Sequence, residues 1–418
     1  MSVNVSTLPN GLRVITDRMD SVETVALGAW VSVGTRHETA EVNGISHLLE
    51  HMAFKGTARR TAQAIAEEMD NVGGHLNAYT SRDHTAYFAK VLKDDAALAT
   101  DVIADILLNS TMDPDELERE KQVIVQEISQ VNDTPDDIIF DQFQLKAYPD
   151  QPMGWPVLGS EKLVRSVTSA QLKAYLHEHY AASDTVVAAS GNIDHDAFVK
   201  TVEAAFTGYR DTAAIKTVSS IYKGGEYREE RDLEQVHLVL GFPGVPYNDD
   251  DYYNIGALSV LMGEGMSSRL FQEIREKRGL AYSVFSSTQS FADTGLFTIY
   301  TGTAPDEVQK LIPVLCEEIR KAAGTITPEE TKRAKAQIKS GLLMSLESPS
   351  NRCSQRARQL VVYGRPLNAP ELIERVETID TASIRAAAHR IFSGVPTLAA
   401  IGPLGALPPL AEIRHKIQ

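Results

Sequence analysis

The sequence has few of the features that mark secreted or membrane-spanning proteins. It contains two cysteines in 418 residues, Cys316 and Cys353, too few for a disulfide framework and without the C-x-x-C spacing of redox and zinc sites. No run of about 20 apolar residues is present to span a bilayer, and residues 1–20 lack the basic and apolar regions of a signal peptide. We therefore expect reduced thiols, no membrane partner and a cytoplasmic location.

Positive charge is also scarce. The chain has 41 Lys and Arg against 56 Asp and Glu, a formal net charge of −15. A nucleic-acid-binding domain normally carries the opposite balance, so we expect no nucleic-acid partner and favour basic partners. Hydrophobic residues at 43% and charged residues at 23% are typical of a packed globular protein. The length exceeds that of a typical single domain, which predicts two or more domains.

An internal repeat organises the chain. In the first half, a strand at 24–33 is followed by helices at 43–54 and 61–72, strands at 74–80 and 85–91, and a helix at 94–108. The second half repeats this order, with a strand at 235–242, a helix at 250–262, strands at 281–289 and 295–301, and a helix at 306–323. Each half then has a helix-capping signal, at 113–116 and at 327–330.

The repeat predicts an α+β fold of two homologous modules. Each module should have a mostly antiparallel sheet with helices packed on one face, because its strands are interleaved with hairpins. We expect the first module at 1–215, the second at 230–418, and a polar linker at 216–229.

Residues suited to metal chemistry occur in the first half. His47 and His51 lie four apart on a predicted helix, so their rings share one face about 6 Å apart along the axis. Glu50 is near that face, where a carboxylate can take a proton from metal-bound water. A catalytic zinc site needs a third protein ligand, and the long helix that begins near 113 offers Glu120 and Glu127, seven apart on one face.

This pattern carries a family resemblance. The H-x-x-E-H segment 47–51, followed after 75 intervening residues by Glu127, resembles the pitrilysin-type (inverzincin) zinc metallopeptidases of family M16. The resemblance is greatest to the short-chain M16B branch and to the catalytic beta subunit of mitochondrial processing peptidase, and it extends through 52–57, 76–82 and 109–111.

The resemblance implies a role for each of these polar residues. One Zn²⁺ ion per chain would be held by His47, His51 and Glu127. Glu50 would be the general base, and Glu120 would support the site from behind the ligands.

The second half serves as an internal control. The corresponding positions lie 210 residues after His47, Glu50 and His51, and 214 residues after Glu120 and Glu127. The residues there cannot bind zinc through their side chains: Ala257, Val260, Leu261, Ala334 and Gly341. We therefore expect 1–215 to be the catalytic zinc-binding module and the second module to bind no metal.

The resemblance also implies how substrate is bound. Arg275 and Tyr282 would bind substrate near the scissile bond, with the Tyr282 hydroxyl stabilising the oxyanion. Asn77, Ala78 and Tyr79 of the edge strand at 76–80 would pair with the substrate backbone. Phe54 would line a pocket for the substrate side chain after the scissile bond. Asp137 and Asp141 would form an acidic pair that holds an Arg before that bond. The family residue at the first acidic position is a Glu, whereas this chain has the shorter Asp137.

We expect a zinc endopeptidase that hydrolyses unfolded peptides or precursor segments, with basic substrates and Arg before the scissile bond, acting as a homodimer. One alternative is a catalytically idle structural or assembly subunit of the same fold, and the intact zinc motif argues against it. The other is one half of a heterodimeric peptidase. A single chain that has both the zinc motif and the Arg/Tyr pair argues against that alternative.

Overall fold

The computed structural model describes residues 3–212 and 217–418. The strands are β1 (Val3–Thr7), β2 (Arg13–Arg18), β3 (Thr24–Val31), β4 (His75–Thr80), β5 (Thr85–Leu92), β6 (Thr185–Gly191), β7 (Gly225–Glu230), β8 (Val236–Pro243), β9 (Ala281–Ser290), β10 (Gly295–Thr303) and β11 (Thr397–Gly402). The helices are α1 (Ile45–Ala53), α2 (Ala62–Asp70), α3 (Ala96–Leu108), α4 (Pro114–Asn132), α5 (Pro135–Ala147), α6 (Glu161–Ser166), α7 (Ser169–His179), α8 (His195–Ala205), α9 (Tyr252–Gly263), α10 (Val308–Thr325), α11 (Pro328–Ser345), α12 (Pro349–Tyr363), α13 (Ala369–Glu377), α14 (Thr381–Phe392) and α15 (Leu410–Ile417). The predicted helices and strands of both halves are thus present, within a few residues of their expected ends.

The chain forms two compact units, and neither is continuous in sequence. The first contains Met1–Ser129, Trp155–Val218 and Met344–Leu367, and the second contains Gln130–Gly154, Ser219–Leu343 and Asn368–Gln418. The predicted boundaries at 215 and 230 therefore misplace two segments: Gln130–Gly154 belongs to the second unit, and Met344–Leu367 belongs to the first.

The predicted linker at 216–229 is also different in the structure. β7 occupies its last residues as a strand of the second sheet, because its backbone pairs with β11. Residue 216, like the predicted module end at 215, lies outside the described residues.

The sheet of the first unit has six strands in the order β1-β2-β6-β3-β5-β4. β2 and β6 are parallel, whereas the other neighbouring pairs are antiparallel. In β3, seven of eight consecutive residues are buried. Such a continuous buried run is typical of a strand that is covered on both faces of its sheet.

The second sheet repeats this arrangement without a counterpart of β1. Its order is β7-β11-β8-β10-β9, with β7 and β11 parallel and the other neighbouring pairs antiparallel. β4 and β9 occupy the same edge position in their respective sheets. The two-module α+β prediction is therefore confirmed.

Helices cover both faces of each sheet, so the expectation of helices on one face is incomplete. The main core of the first unit lies between the sheet and helices that include α1, α3 and α8. On the other face, α12 packs against β2, β3 and β6. In the second unit, α9, α10, α14 and α15 surround the main core, and α5 packs on the opposite face against β7, β8 and β11.

This packing explains the discontinuous units. Each covering helix comes from the other half of the sequence: α12 lies in the second half and covers the first sheet, and α5 lies in the first half and covers the second. Because burial of apolar sheet faces is what assigns a helix to a core, sequence order does not set the unit boundaries.

Among the described residues, no helix combines the length and apolar character needed to cross a bilayer.

A buried ionic cluster fixes α12 on the first sheet. The carboxylate of Asp17 in β2 is fully buried, and it accepts hydrogen bonds from Arg352 Nη1 at 3.1 Å and Arg356 Nε at 2.8 Å. Removing one member of such a cluster leaves buried charge without its partner, which costs far more than the loss of a surface ion pair.

We predict that Asp17→Asn destabilises the first unit by about 3 kcal/mol, because two buried guanidinium groups lose their counter-ion. Asp20→Asn is the matched control: Asp20 also pairs with an arginine, Arg18 at 2.7 Å, but its side chain is 73% exposed. This variant should change stability by less than about 1 kcal/mol. Urea denaturation and hydrogen exchange of the α12 amides measure both effects, and equal protection of α12 in the two variants would contradict the prediction.

Candidate metal centre

The helix that carries the H-x-x-E-H motif is almost entirely buried. Eight of the nine residues of α1 are buried, and the helix begins after Gly44, whose φ is +96°. A Cβ atom at Gly44 would lie 2.7 Å from the carbonyl oxygen of Leu158, so both the backbone conformation and the space there require glycine.

A buried glutamate, Glu38, caps the start of α1. Its Oε2 accepts from the backbone N–H of Gly44 at 2.8 Å and from Asn43 Nδ2 at 2.9 Å, and its Oε1 accepts from the backbone N–H of Ser46 at 2.8 Å. Burial raises the pKa of Glu38 to about 7, although these hydrogen bonds act in the opposite direction. The first turn of α1 is thereby held in place immediately before His47.

The two histidines of α1 lie side by side, as their spacing predicts. Their ring centroids are 4.6 Å apart. Burial, and then the neighbouring His51, lower the pKa of His47 to about 3. His47 is therefore a neutral imidazole near neutral pH, the form that binds metals.

The third member of the group comes from α4. This helix begins as predicted, with Asp113 Oδ1 accepting from the backbone N–H groups of Asp115 and Glu116. Five residues before its end, Glu127 places Oε2 at 3.8 Å from Nε2 of both His47 and His51. Candidate ligand atoms of the three residues lie within 4.8 Å of one another.

The donor set fits a zinc ion. Oε2 of Glu127 is buried but has no hydrogen-bond partner among the described residues, and the same holds for Nδ1 of His47. A buried carboxylate oxygen without a donor is costly, and a cation at the point where the three residues meet would satisfy it. Two imidazoles and one carboxylate form a donor set of catalytic zinc sites.

Glu50 lies beside this group and is held by a neighbouring strand. The hydroxyl of Thr80, at the end of β4, donates to Glu50 Oε2 at 2.6 Å. Burial raises the pKa of Glu50, while the Thr80 hydrogen bond opposes the increase. The hydrogen bond fixes one carboxylate oxygen and leaves Oε1 for another partner.

Glu120 supports His51 from the side away from Glu127. Its Oε2 is 3.1 Å from His51 Nδ1, and its Oε1 is 2.6 Å from Lys55 Nζ. Because a carboxylate only accepts hydrogen bonds, this contact places the imidazole hydrogen on Nδ1 and the lone pair on Nε2, the atom that faces Glu127.

Three residues of this site were not assigned roles from the sequence: Glu38, Lys55 and Thr80. Lys55 lies four residues after His51, and Thr80 alternates with Leu76 and Ala78, which pack on the main core. Helical spacing and strand alternation are therefore signals that point to these two residues. Glu38 has no comparable signal, since two of its three partners are backbone N–H groups.

The other predicted site residues of the first unit lie on or next to the edge strand. Asn77, Ala78 and Tyr79 are in β4, the last strand in the sheet order, and the Asn77 side chain is hydrogen-bonded to the N–H of Ala78 at 2.8 Å. Phe54 follows α1 and packs near Tyr87, with ring centroids 6.3 Å apart.

The second unit brings Arg275 and Tyr282 together. The Arg275 guanidinium lies 4.4 Å from the centre of the Tyr282 ring and donates to the Tyr282 carbonyl oxygen at 3.2 Å. The Tyr282 side chain is largely exposed, at 76%. Asp137 and Asp141 both lie on α5, with the i, i+4 spacing of one helix face.

The positions equivalent to the metal residues are apolar, as the repeat predicts. Ala257, Val260 and Leu261 lie on α9, where all three are buried. Ala334 and Gly341 lie on α11.

Comparisons with known proteins find family matches in both halves of the chain. The family described as "Insulinase (Peptidase family M16)" matches residues 13–161, and the one described as "Peptidase M16 inactive domain" matches residues 166–338. An uncharacterized zinc protease of Rickettsia felis is 42% identical over 401 residues, covering 96% of this chain and 97% of the relative. One from Bacillus subtilis is 38% identical over 405 residues, covering 96% and 98%.

Solved structures share the fold. A protease from Helicobacter pylori matches with a TM-score of 0.90 at 24% identity, covering 96% of this chain and 99% of that chain. A chain of Complex III2 from Candida albicans matches with a TM-score of 0.89 at 22% identity, covering all of both chains. Together with the two family matches and the full-length relatives, these findings show that the chain belongs to peptidase family M16.

Proposed function

We propose that this protein is a zinc metalloendopeptidase whose Zn²⁺ ion, one per chain, is held by His47, His51 and Glu127. The observation that carries the proposal is the convergence of these three residues on one point, where Glu127 Oε2 is buried without a donor among the described residues. The names of the full-length relatives, which are zinc proteases, support the choice of metal.

Glu50 supplies the acid–base chemistry in this proposal. Zinc, when bound at such a site, polarises a peptide carbonyl and lowers the pKa of a water molecule. Glu50 Oε1, which is not engaged by Thr80, takes the proton from the attacking water and passes it to the leaving amine. Glu120 keeps the His51 ring in its binding orientation. From the resemblance, the Tyr282 hydroxyl stabilises the oxyanion and Arg275 binds the substrate.

The proposed substrates are extended peptides or unfolded precursor segments. β4 is an edge strand, and α1 packs against it, so a peptide paired with β4 would run beside Glu50 and Thr80. From the resemblance to the mitochondrial processing peptidase, we further propose that Asp137 and Asp141 hold an Arg before the scissile bond and that Phe54 contacts the residue after it. The homodimer is likewise a proposal.

The fold also favours a second candidate, a structural subunit without peptidase activity. Both a protease and a chain of Complex III2 share it, so the fold alone does not separate the two functions. A heterodimeric peptidase with a related chain is the further alternative. The metal-binding and Glu50 experiments below separate a peptidase from an idle subunit.

We predict two classes of variant, one that loses zinc and one that keeps zinc but loses turnover. His47→Ala, His51→Ala and Glu127→Ala each remove one of three protein ligands and should abolish stoichiometric zinc, whereas Glu50→Gln should retain zinc and lose turnover. Elemental analysis and mass spectrometry of a cleaved peptide library measure the two properties.

Either of two results would count against these roles. Full zinc content in Glu127→Ala would place the third ligand elsewhere. Peptide cleavage that persists unchanged in Glu50→Gln would remove Glu50 as the general base.

We predict that Thr80→Val lowers kcat by about 10-fold, because the buried Glu50 carboxylate loses a charge-assisted hydrogen bond that holds one of its oxygens. Thr80→Ser keeps the hydroxyl and is the matched control, which should retain most of kcat. Zinc content should be normal in both variants. Equal kcat values for the two variants in steady-state assays would show that the hydrogen bond has no role in turnover.

We predict a preference for Arg shortly before the scissile bond and a bulky apolar residue after it. Two carboxylates on one helix face can bind a guanidinium in a bidentate manner, which favours Arg over Lys. Asp137→Asn and Asp141→Asn should raise KM for the Arg peptide with little change in kcat. Equal kcat/KM for Arg and Ala versions of one peptide would disprove the preference without affecting the zinc peptidase proposal.

A further inference from the structure

Lys55 is connected to the metal centre through one intervening carboxylate. Its Nζ lies 2.6 Å from Glu120 Oε1, and the other oxygen of the same carboxylate lies 3.1 Å from His51 Nδ1. The Glu120 side chain is 7% exposed and that of Lys55 is 31% exposed. Lys55 therefore reaches from the surface to a nearly buried carboxylate.

The backbone around Lys55 is held in place. The N–H of Lys55 donates to the carbonyl oxygen of Met52 in α1 at 3.2 Å, and Gly56 accepts from the N–H of Thr111 at 3.0 Å. The hydroxyl of Thr57 donates to the buried carboxylate of Asp105 at 2.7 Å. A lysine on such a segment loses less conformational freedom on forming an ion pair than one on a mobile loop.

Lys55 and His51 each engage one oxygen of the Glu120 carboxylate. With Oε1 on an ammonium group and Oε2 on an imidazole N–H, the carboxylate plane has little freedom to rotate. His51 is then oriented with Nε2 toward Glu127 Oε2, at 3.8 Å. Residues that orient a ligand from behind affect metal affinity even though they do not touch the metal.

We propose that Lys55 is a positioning residue of the metal centre, which sets the zinc affinity by fixing the Glu120 carboxylate that orients His51. This inference rests on the proposed zinc site and deepens it. Lys55 does not act on the substrate in this account, and its effect passes through Glu120.

The test measures zinc affinity by competition with a chelator, using the full chain stripped of metal and reloaded with zinc. Lys55→Met removes the ammonium group but keeps most of the length of the side chain, and it should weaken zinc binding by about 10-fold. Lys55→Arg keeps the charge and should bind zinc within about 3-fold of the unaltered protein, since a guanidinium can also bond Glu120. Lys55→Gln provides a second variant without the charge if Lys55→Met does not fold.

Lys321→Met is the matched control. Lys321 on α10 pairs with Glu318 at the same distance, 2.6 Å, and the exposed fractions of the two side chains are 38% and 4%. The control therefore removes an ion pair of similar burial that does not involve the metal residues. Its zinc affinity should equal that of the unaltered protein.

A double-mutant cycle tests the route through Glu120. In a Glu120→Gln background, Lys55→Met should weaken zinc binding by less than about 2-fold, because the group through which Lys55 acts has been changed. Unchanged affinity in Lys55→Met, or the same 10-fold loss in both backgrounds, would overturn the inference.

The outcomes also separate this inference from the proposed function. An unaltered protein that does not bind zinc would overturn both. A protein that binds zinc but cleaves no peptide would overturn the peptidase proposal, while the affinities of the Lys55 variants would still decide the role of Lys55.

Discussion

The elements around α1 must supply partners for the polar side chains that this helix carries into the core of the first unit. α1 places Ser46, His47, Glu50 and His51 among residues of the main core, and a buried polar group without a partner costs about 1–3 kcal/mol. Three of the four side chains have a hydrogen-bond partner among the described residues, and each partner comes from a different element. Ser46 bonds Tyr175 on α7 at 2.9 Å, Glu50 accepts from Thr80 on β4, and His51 bonds Glu120 on α4. The positions of α7, β4 and α4 around α1 are therefore fixed in part by the hydrogen bonds that they make to its polar side chains.

The second unit shows the same helix position without that requirement. α9 has apolar or small residues where α1 has its candidate metal ligands, and the hydroxyl of its buried Ser259 donates to Glu264, five residues later, at 2.8 Å. No long helix has to supply a carboxylate to α9, and the position on α11 equivalent to Glu127 is Gly341. The comparison within one chain shows that the sheet and helix order does not need the metal residues.

Local signals in the sequence predicted most elements and the two histidines of the candidate metal site. Capping residues, strand alternation and helical spacing act within a few residues, so the starts of α4 and α11 and the pairing of His47 with His51 could be predicted. The capping box at Thr327 is present in full, with Glu330 and Thr327 exchanging hydrogen bonds. Family resemblance was needed to choose Glu127 over Glu120 as the candidate third ligand.

The exchanged helices could not be predicted by the same means. The buried run in β3 does indicate a sheet covered on both faces, but it does not say which helix provides the cover. For α12 that choice depends on Asp17 meeting Arg352 and Arg356, more than 330 residues later in the chain. Glu38 was missed for a related reason, because the backbone N–H groups that it accepts from come into reach only once α1 has formed.

The cost of the metal site is an argument for function. In a purely structural subunit, the buried Oε2 of Glu127 would be an unsatisfied acceptor, since it has no donor among the described residues. The same side chain is 41% exposed, so rotating it into water would be a simple remedy, and yet Oε2 is directed at two imidazole nitrogens. A cation at that point would make both the direction of the carboxylate and the neutrality of His47 favourable. With Glu50 also retained beside these residues, the chain has the groups needed for hydrolysis, whereas a fold stabilised by its sheets and covering helices needs none of them.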